Sequence, residues 1–280
     1  MRPLVLGAHR IRIPLYYGCA IALVAGVLLP SWLPEGRAKG AITALATAGF
    51  VGLLLTVLVI VVGGRLLPRP STVTVTAPVT GRWMALNSPA TKEPSHGVHA
   101  YGQAFAIDLV HEPEDGARPT FGSGAGMRPP HHYPAFGQPV SAMMDGKVVA
   151  VVDRLRDHRS RSSFPAILYM TLEGMVRELG GPRFVVGNHV TILAPDGSHA
   201  LVAHLRRGSA RVAVGDQVRA GDLVGECGNS GNSSEPHVHA QIMDRASLWT
   251  ARGIPMTFSG IDIDGHPSDR LPRDEEHLVA

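Results

Sequence analysis

Two long apolar runs near the N-terminus constrain what this chain can fold into more than any other feature. The first extends over residues 13–33 and the second over residues 41–63, and neither contains a charged side chain. A bilayer core of ~30 Å requires about 20 apolar residues in a helix, so both runs are long enough to span it. The link between them, 34–40, fits a tight turn. We therefore predict two transmembrane helices within residues 1–64.

A cleaved signal peptide is the alternative interpretation of the first run. Against it, the run is not followed by a small-x-small cleavage site and a polar mature start. The charges around the runs carry further information, because arginines and lysines favour the cytoplasmic side of a membrane. Three arginines precede the first run and two basic residues lie in the link, so this rule places the rest of the chain in the cytoplasm.

Composition excludes several classes of function. The formal net charge of the 280 residues is only +3 and the basic residues are scattered, so we expect no nucleic-acid partner. The two cysteines, Cys19 and Cys227, are far apart and form no CxxC motif. A metal site in this chain must therefore use histidine and aspartate.

Beyond the second run the pattern indicates short β-strands. Valine and threonine alternate over residues 71–79, which predicts a first strand after a Pro-rich linker, together spanning 65–81. Apolar stretches follow at 104–110, 190–193 and 200–204, with turn signals at Asp145-Gly146 and Asp196-Gly197 that predict hairpins. We predict a mainly β fold with antiparallel sheet.

One amphipathic helix interrupts the strands, over residues 165–179. Ser163 is placed to cap it, Pro165 suits its first turn, and Gly180-Gly181 ends it. Its apolar stripe is expected to pack on the β core. The helix then either forms a wall of a binding groove or merely covers the sheet. The stripe consists of Ile167, Leu168, Leu172, Met175, Val176 and Leu179.

The chain contains fourteen histidines, which is unusually many. The most informative local motif among them is Pro236-His237-Val238-His239. Histidines at i and i+2 of a strand point to one face, close enough to share a metal site. A Gly-rich loop, 228–233, precedes them. Upstream, Asp108 lies within an apolar stretch where an unpartnered carboxylate would be costly to bury. His204 ends another apolar stretch.

Taken in order, these pieces resemble the lysostaphin-type (LytM-domain) zinc endopeptidases. That family carries a His and an Asp, then a lone His ending a strand, then HxH after a Gly-Asn-Ser loop. The counterparts here are Ser95-His96-Gly97 with Asp108, then His204, then 228–239. The Gly-Asp turns within 214–225 are also typical of the family. The resemblance covers residues 82–258 and leaves the apolar runs outside it.

The resemblance implies an antiparallel-sheet peptidase domain over residues 82–260, followed by a polar C-terminal tail, 261–280. Carried over residue by residue, Asp108 and His239 would bind Zn2+ together with one upstream histidine. His204 and His237 would be catalytic, one as proton acceptor and one as oxyanion donor, in either assignment. Two His and one Asp leave a fourth zinc position for water, as hydrolytic sites require.

The first ligand departs from the simplest family pattern, which places a histidine four residues before the aspartate. Position 104 is alanine here. His96 and His99 are the candidates across a longer loop. We favour His96, because Ser-His-Gly after a proline is similar to a longer-loop branch of the family.

The resemblance implies a zinc metalloendopeptidase that cuts peptidoglycan stem peptides or cross-bridges. The two predicted helices, which lie outside the resemblance, would anchor it in the bacterial membrane. Such a substrate requires the catalytic domain outside the cytoplasm, against the charge rule. The alternative function is a catalytically silent LytM-like domain that regulates another wall hydrolase. A silent domain should have lost ligands, whereas candidates for all five positions are present. The other histidines, among them His158 and His189, are expected at the surface or in turns.

Overall fold

The computed structural model describes residues 2–63, 66–114 and 118–280. Contacts divide the chain into two compact units, 1–69 and 70–280, which are treated separately below. The predicted boundary at 64/65 falls outside the described residues. The other predicted domain limits stay predictions, apart from the C-terminal segment discussed below.

The N-terminal unit is a pair of helices with closely spaced backbones. A side chain at Gly26 would collide with the backbone of Ala46, and one at Gly49 would collide with that of Leu23. Small residues are what allow apolar helices to approach so closely. The helices are α1, Arg2–Leu28, with a 3-10 turn at Leu29–Trp32, and α2, Arg37–Leu58, with a π-helical turn at Val59–Gly63.

Both helical segments of this unit are long and apolar enough to cross a membrane. They are Leu4–Trp32 and Arg37–Gly63, and most of their apolar side chains face outward. The first segment begins at Leu4, nine residues before the predicted start at Ile13. The reason is that α1 extends further toward the N-terminus and includes the polar residues His9 and Arg12. The side chains of these two polar residues are buried and contact each other. Two candidate membrane spans are thus present where the hydropathy pattern predicted them.

The C-terminal unit is built on one long antiparallel sheet. Its strand order is β14-β13-β15-β2-β3-β10-β7-β6-β5-β8, and β11 also pairs with β10. Two smaller pairs, β1-β12 and β4-β9, lie beside it. The strands are β1 Val73–Val75, β2 Arg82–Leu86, β3 Ile107–His111, β4 Pro139–Ser141, β5 Gly146–Val152, β6 His189–Leu193, β7 His199–Ala203, β8 Gln217–Val218, β9 Leu223–Glu226, β10 Val238–Met243, β11 Gly253–Ile254, β12 Met256–Phe258, β13 Ile261–Ile263, β14 His266–Ser268 and β15 His277–Val279.

The predicted fold class is confirmed: the unit is mainly antiparallel β with inserted helix. The hairpin at Asp196-Gly197 is also confirmed, because it joins β6 to β7 in antiparallel register. The prediction of a hairpin at Asp145-Gly146 is wrong, because the strands on its two sides do not pair with each other. β4 pairs with β9, whereas β5 pairs with β6 and β8. Gly146 serves a different purpose, since a side chain there would collide with the carbonyl oxygen of Leu193 on the neighbouring strand.

The C-terminal segment differs from the predicted polar tail. Residues 261–280 form three strands, and β15 pairs with β2 at residues 277–279 to extend the main sheet. The segment is ordered because a few apolar side chains within its mainly polar sequence are buried in the core. Ile261, Ile263 and Leu278 are buried in the same core as Trp83. Burial of a side chain of this size contributes about 1.5–3 kcal/mol, enough to order short strands.

The inserted helix, α3, extends over Phe164–Leu179 and is followed by a short helix, α4, at Pro182–Val186. Ser163 occupies the N-cap position but makes no side-chain capping hydrogen bond. The prediction that the apolar stripe packs on the β core is wrong. Leu172 and Met175, for example, are 57 % and 60 % exposed, whereas the buried residues of the helix are Ala166 and Gly174.

Candidate functional site

Strand pairing around β10 assembles the candidate site. β10 lies between β3 and β7, and its register sets His239 opposite Asp108 on one side and Ala203 on the other. His204 follows Ala203 directly, so it enters the same neighbourhood. His237 immediately precedes β10. The three histidines and the aspartate therefore meet because three strands from distant parts of the sequence are adjacent.

His96, Asp108 and His239 form a cluster that could hold a metal ion. One donor atom from each lies within 4.8 Å of the others. The His96 Nε2 atom is 3.1 Å from one Asp108 carboxylate oxygen, and the His239 Nδ1 atom is 2.9 Å from the other. All three side chains are buried or nearly so. The loop before β3 thus brings His96, rather than His99, into this cluster.

The remaining ring nitrogens of both histidines have oxygen partners. The His96 Nδ1 atom lies 3.0 Å from the Ser95 hydroxyl, and the His239 Nε2 atom lies 2.8 Å from the Gln241 side-chain oxygen. Gln241 is itself held by a 2.9 Å hydrogen bond that its amide nitrogen donates to the Tyr101 carbonyl. Such partners fix the tautomer and orientation of a metal-binding imidazole. The His96 Nε2 and His239 Nδ1 atoms are therefore directed at Asp108.

This donor set fits a catalytic zinc ion. Two imidazole nitrogens and one carboxylate are common zinc ligands, and three protein ligands leave one position for water or substrate. Asn87 completes the surroundings, because its amide donates a 2.8 Å hydrogen bond to the carboxylate of Asp108.

His204 and His237 lie beside this cluster with their rings 4.7 Å apart between centroids. The His204 Nδ1 atom donates to the Ser230 carbonyl at 2.8 Å, and the His237 Nδ1 atom donates to the Glu235 carbonyl at 2.8 Å. A carbonyl can only accept, so in each ring the proton is on Nδ1. Each Nε2 is therefore the nitrogen that gains or loses the second proton, and that of His237 lies 3.5 Å from Asp108. Burial works to lower the pKa of His237, but the Asp108 carboxylate outweighs burial and raises it.

The buried charges of the cluster shift the pKa values of its members. Burial works to raise the pKa of Asp108, but positive charge on His96 and His237 and hydrogen bonds from His237 and His239 outweigh burial. They hold the Asp108 pKa well below its ordinary value. Burial, aided by the charges of neighbouring histidines, lowers the pKa of His204 well below its ordinary value. Asp108 is therefore ionised and His204 neutral at neutral pH.

The Gly-rich loop, 228–233, holds His204 in place. His204 has a positive φ of 59°, a conformation that few side chains adopt readily. Its partner Ser230 is anchored by its own hydroxyl, which donates to the Leu205 carbonyl at 2.8 Å. Gly231 allows the loop to approach closely, since a side chain there would lie 2.6 Å from the Gly187 nitrogen and the Val185 oxygen.

Two histidines expected at the surface are instead buried in support of this loop. His158 is 7 % exposed, and its Nε2 atom lies 2.8 Å from the Gly231 carbonyl. His189 is 5 % exposed, and its Nδ1 atom lies 2.8 Å from the Gly187 carbonyl. The surface prediction is wrong for both, because their hydrogen bonds satisfy loop carbonyls that strand pairing leaves open.

Sequence reasoning missed Asn87, Ser230 and Gln241. A signal for Gln241 was available, because it continues the alternation of His237 and His239 and thus lies on the same face of β10. No comparable signal existed for Asn87, which reaches Asp108 from the end of β2.

Replacing Gln241 with alanine is expected to weaken zinc binding by about 10–100-fold, since His239 loses the partner that orients its ring. Competition with a zinc-chelating dye measures this change. Thr191 is a suitable control position, because it is equally buried in β6, the strand beyond β7, and lies outside the cluster. If Gln241→Ala binds zinc as tightly as Thr191→Ala, Gln241 does not position the ligand.

Comparison with known proteins adds independent evidence. Residues 166–250 match the family model described as Peptidase family M23. The match includes His204, His237 and His239 but ends short of His96 and Asp108. The pairing of β3 with β10 brings Asp108 next to His239, and thus next to the matched region. His96 contacts Asp108 in turn.

Two curated relatives are similar to part of the chain. Glycyl-glycine endopeptidase ALE-1 of Staphylococcus capitis is 33 % identical over 87 residues, which cover 31 % of this chain and 24 % of the relative. Lysostaphin of Staphylococcus simulans is 34 % identical over 86 residues, which cover 30 % of this chain and 17 % of the relative. The chain thus matches a quarter or less of the length of these relatives.

Among solved structures, the catalytic domain of the antimicrobial peptidase lysostaphin from Staphylococcus simulans aligns with a TM-score of 0.31 and 23 % identity, covering 56 % of this chain and 76 % of that one. The sheet brings together a histidine–aspartate cluster that could hold a metal ion. The chain carries a Peptidase family M23 domain, homologous to lysostaphin and to glycyl-glycine endopeptidase. The resemblance inferred from the sequence is confirmed.

Proposed function

We propose that this protein is a zinc metalloendopeptidase that hydrolyses peptide bonds in peptidoglycan stem peptides or cross-bridges. The observation that carries the proposal is the clustering of His96, Asp108 and His239 beside His204 and His237. The relatives support the substrate class, because one is named for glycyl-glycine cleavage. Peptidoglycan peptides are therefore the proposed partners of the site.

In this proposal His96 Nε2, an Asp108 oxygen and His239 Nδ1 hold the metal. Zinc bound there would make a water molecule more acidic and polarise the scissile carbonyl. His204 and His237 supply the remaining chemistry through Nε2. One accepts the proton of the attacking water, and the other, once protonated, donates to the developing oxyanion. Their Nδ1 hydrogen bonds to Ser230 and Glu235 keep both rings oriented for either role.

The proposal places the catalytic unit on the outer side of the membrane, where its substrate lies. This choice opposes the charge distribution around the two candidate spans. Protease added to intact spheroplasts would distinguish an external from a cytoplasmic location, because only an external domain is digested. Protection of the domain until the membrane is ruptured would contradict the external location.

The experiment that tests the function uses the full-length protein with insoluble peptidoglycan. We expect release of new amino groups, loss of that release with a chelator, and its return when zinc is added. A protein that holds zinc yet releases no amino groups would contradict the proposal and favour a silent domain that regulates another wall hydrolase.

A further inference from the structure

Helix α3 presents an apolar face to the outside of the C-terminal unit. Phe164, Leu168, Leu172, Met175 and Leu179 follow the spacing i, i+4, i+8, i+11, i+15 and therefore share one face of the helix. They are between 57 % and 81 % exposed. Soluble surfaces rarely carry so continuous an apolar area, and one of this kind marks a docking surface.

The opposite face of α3 is fixed to the unit by ion pairs. Glu173 lies 2.6 Å from Arg161 and 2.8 Å from Arg177. Arg177 also donates a hydrogen bond to the Gly231 carbonyl of the loop beside the candidate site. Turning the apolar face inward would break these pairs and bury their charges, which is strongly unfavourable. The helix therefore keeps its apolar face outward.

Aromatic side chains extend this surface. Phe121 is 49 % exposed and meets the edge of Phe164, with ring centroids 5.3 Å apart. Tyr169, which is 48 % exposed, lies under the Arg161 guanidinium at 5.2 Å. Aromatic rings beside an aliphatic helical face are typical of helices that lie in the interface of a bilayer.

The charges around α3 favour an anionic surface. Arg154, Arg156 and Arg159 are exposed just before the helix, and Arg183 is exposed just after it. Glu178 is the exposed acidic residue on the helix itself. Basic residues near a membrane surface are each attracted to anionic lipid by about 1 kcal/mol. The combination of apolar face and flanking arginines distinguishes a lipid partner from a purely apolar protein partner.

We propose that the apolar face of α3 inserts into the headgroup region of an anionic bilayer. The same chain carries two candidate membrane spans, and ten residue steps separate Gly63 from Val73, the first strand residue. That connection reaches at most about 35 Å when extended, so spans that crossed a bilayer would keep the unit within that reach of it. The proposal rests on the surface of α3 and the candidate spans, and is independent of the proposed peptidase activity.

The test labels the full-length chain at single cysteines with an environment-sensitive fluorophore. A Cys19→Ala background removes one native thiol, and Cys227 is fully buried, where burial raises its thiol pKa well above the ordinary value and prevents reaction. The label is placed at Leu172→Cys. The matched control is Val214→Cys, an equally exposed apolar position outside α3. Both proteins are reconstituted in vesicles that contain phosphatidylglycerol and doxyl-labelled lipid.

We expect a blue shift and doxyl quenching of the label at position 172, both of which weaken when phosphatidylglycerol is replaced by phosphatidylcholine. The label at 214 should show neither. A second label at Leu179→Cys repeats the measurement should the first substitution disturb folding. Equal quenching at the control and helix positions would overturn the proposal. An unquenched helix label would overturn it as well. Cross-linking of two chains through the unlabelled Leu172→Cys thiol would then show that a second copy covers the face.

Discussion

Replacing Asp108 with alanine is expected to remove zinc from the purified full-length protein. Asp108 supplies the only carboxylate of the cluster and contacts both histidine ligands, so its loss leaves two imidazoles that cannot hold the ion alone. Metal analysis after dialysis should find one zinc per wild-type chain and essentially none in Asp108→Ala.

His99→Ala is the matched control for this experiment, because His99 is the other histidine of the same loop and lies outside the cluster. It should retain zinc at the wild-type level, whereas His96→Ala should lose it. Zinc retained by Asp108→Ala would refute the ligand set. Zinc lost from His99→Ala but kept by His96→Ala would show that His99 is the first ligand.

Replacing His204 or His237 is expected to abolish hydrolysis while zinc remains bound. Each ring acts on water or oxyanion rather than on the metal, and general acid–base groups contribute typically 10²–10⁴-fold to rate. His204→Asn is preferable to alanine, since asparagine tolerates the positive φ at that position. His237→Ala completes the pair.

Amino-group release from peptidoglycan and zinc content should be measured on the same preparations. His132→Ala serves as control, because it removes an exposed histidine from a loop outside the cluster. The assignment would be contradicted if either variant cleaved at the wild-type rate, or if it lost zinc together with activity.

Local patterns were sufficient to predict much of the β fold and the identities of the clustered residues. The His-x-His spacing and the buried Asp108 each carry their own signal, because the alternation of a strand and the cost of burying a carboxylate act locally. The contact between Asp108 and the His-x-His motif could not be predicted from sequence spacing alone. His239 and Asp108 are 131 residues apart and become neighbours only through the pairing of β3 with β10. The ordered resemblance to a family supplied that missing information.

Each incorrect prediction has its own physical cause. The periodicity of α3 correctly predicted a helix with an apolar face. Periodicity does not reveal whether such a face packs on the protein's own core or on something else. The C-terminal strands contain only three residues each, too few for alternation to stand out in a polar segment. The hairpin signal at Asp145-Gly146 was overridden because the two strands beside it pair with other partners.

Mass spectrometry of the products from purified cross-linked peptidoglycan fragments tests the central claim most directly. Peptide hydrolysis adds one water per cut, so the zinc-loaded protein should yield fragment pairs with one new amino and one new carboxyl terminus. The His237→Ala protein should leave the same fragments intact. Unchanged cross-links after incubation with the zinc-loaded wild-type protein, or cuts at glycosidic bonds, would contradict the claim that this chain is a peptidoglycan endopeptidase.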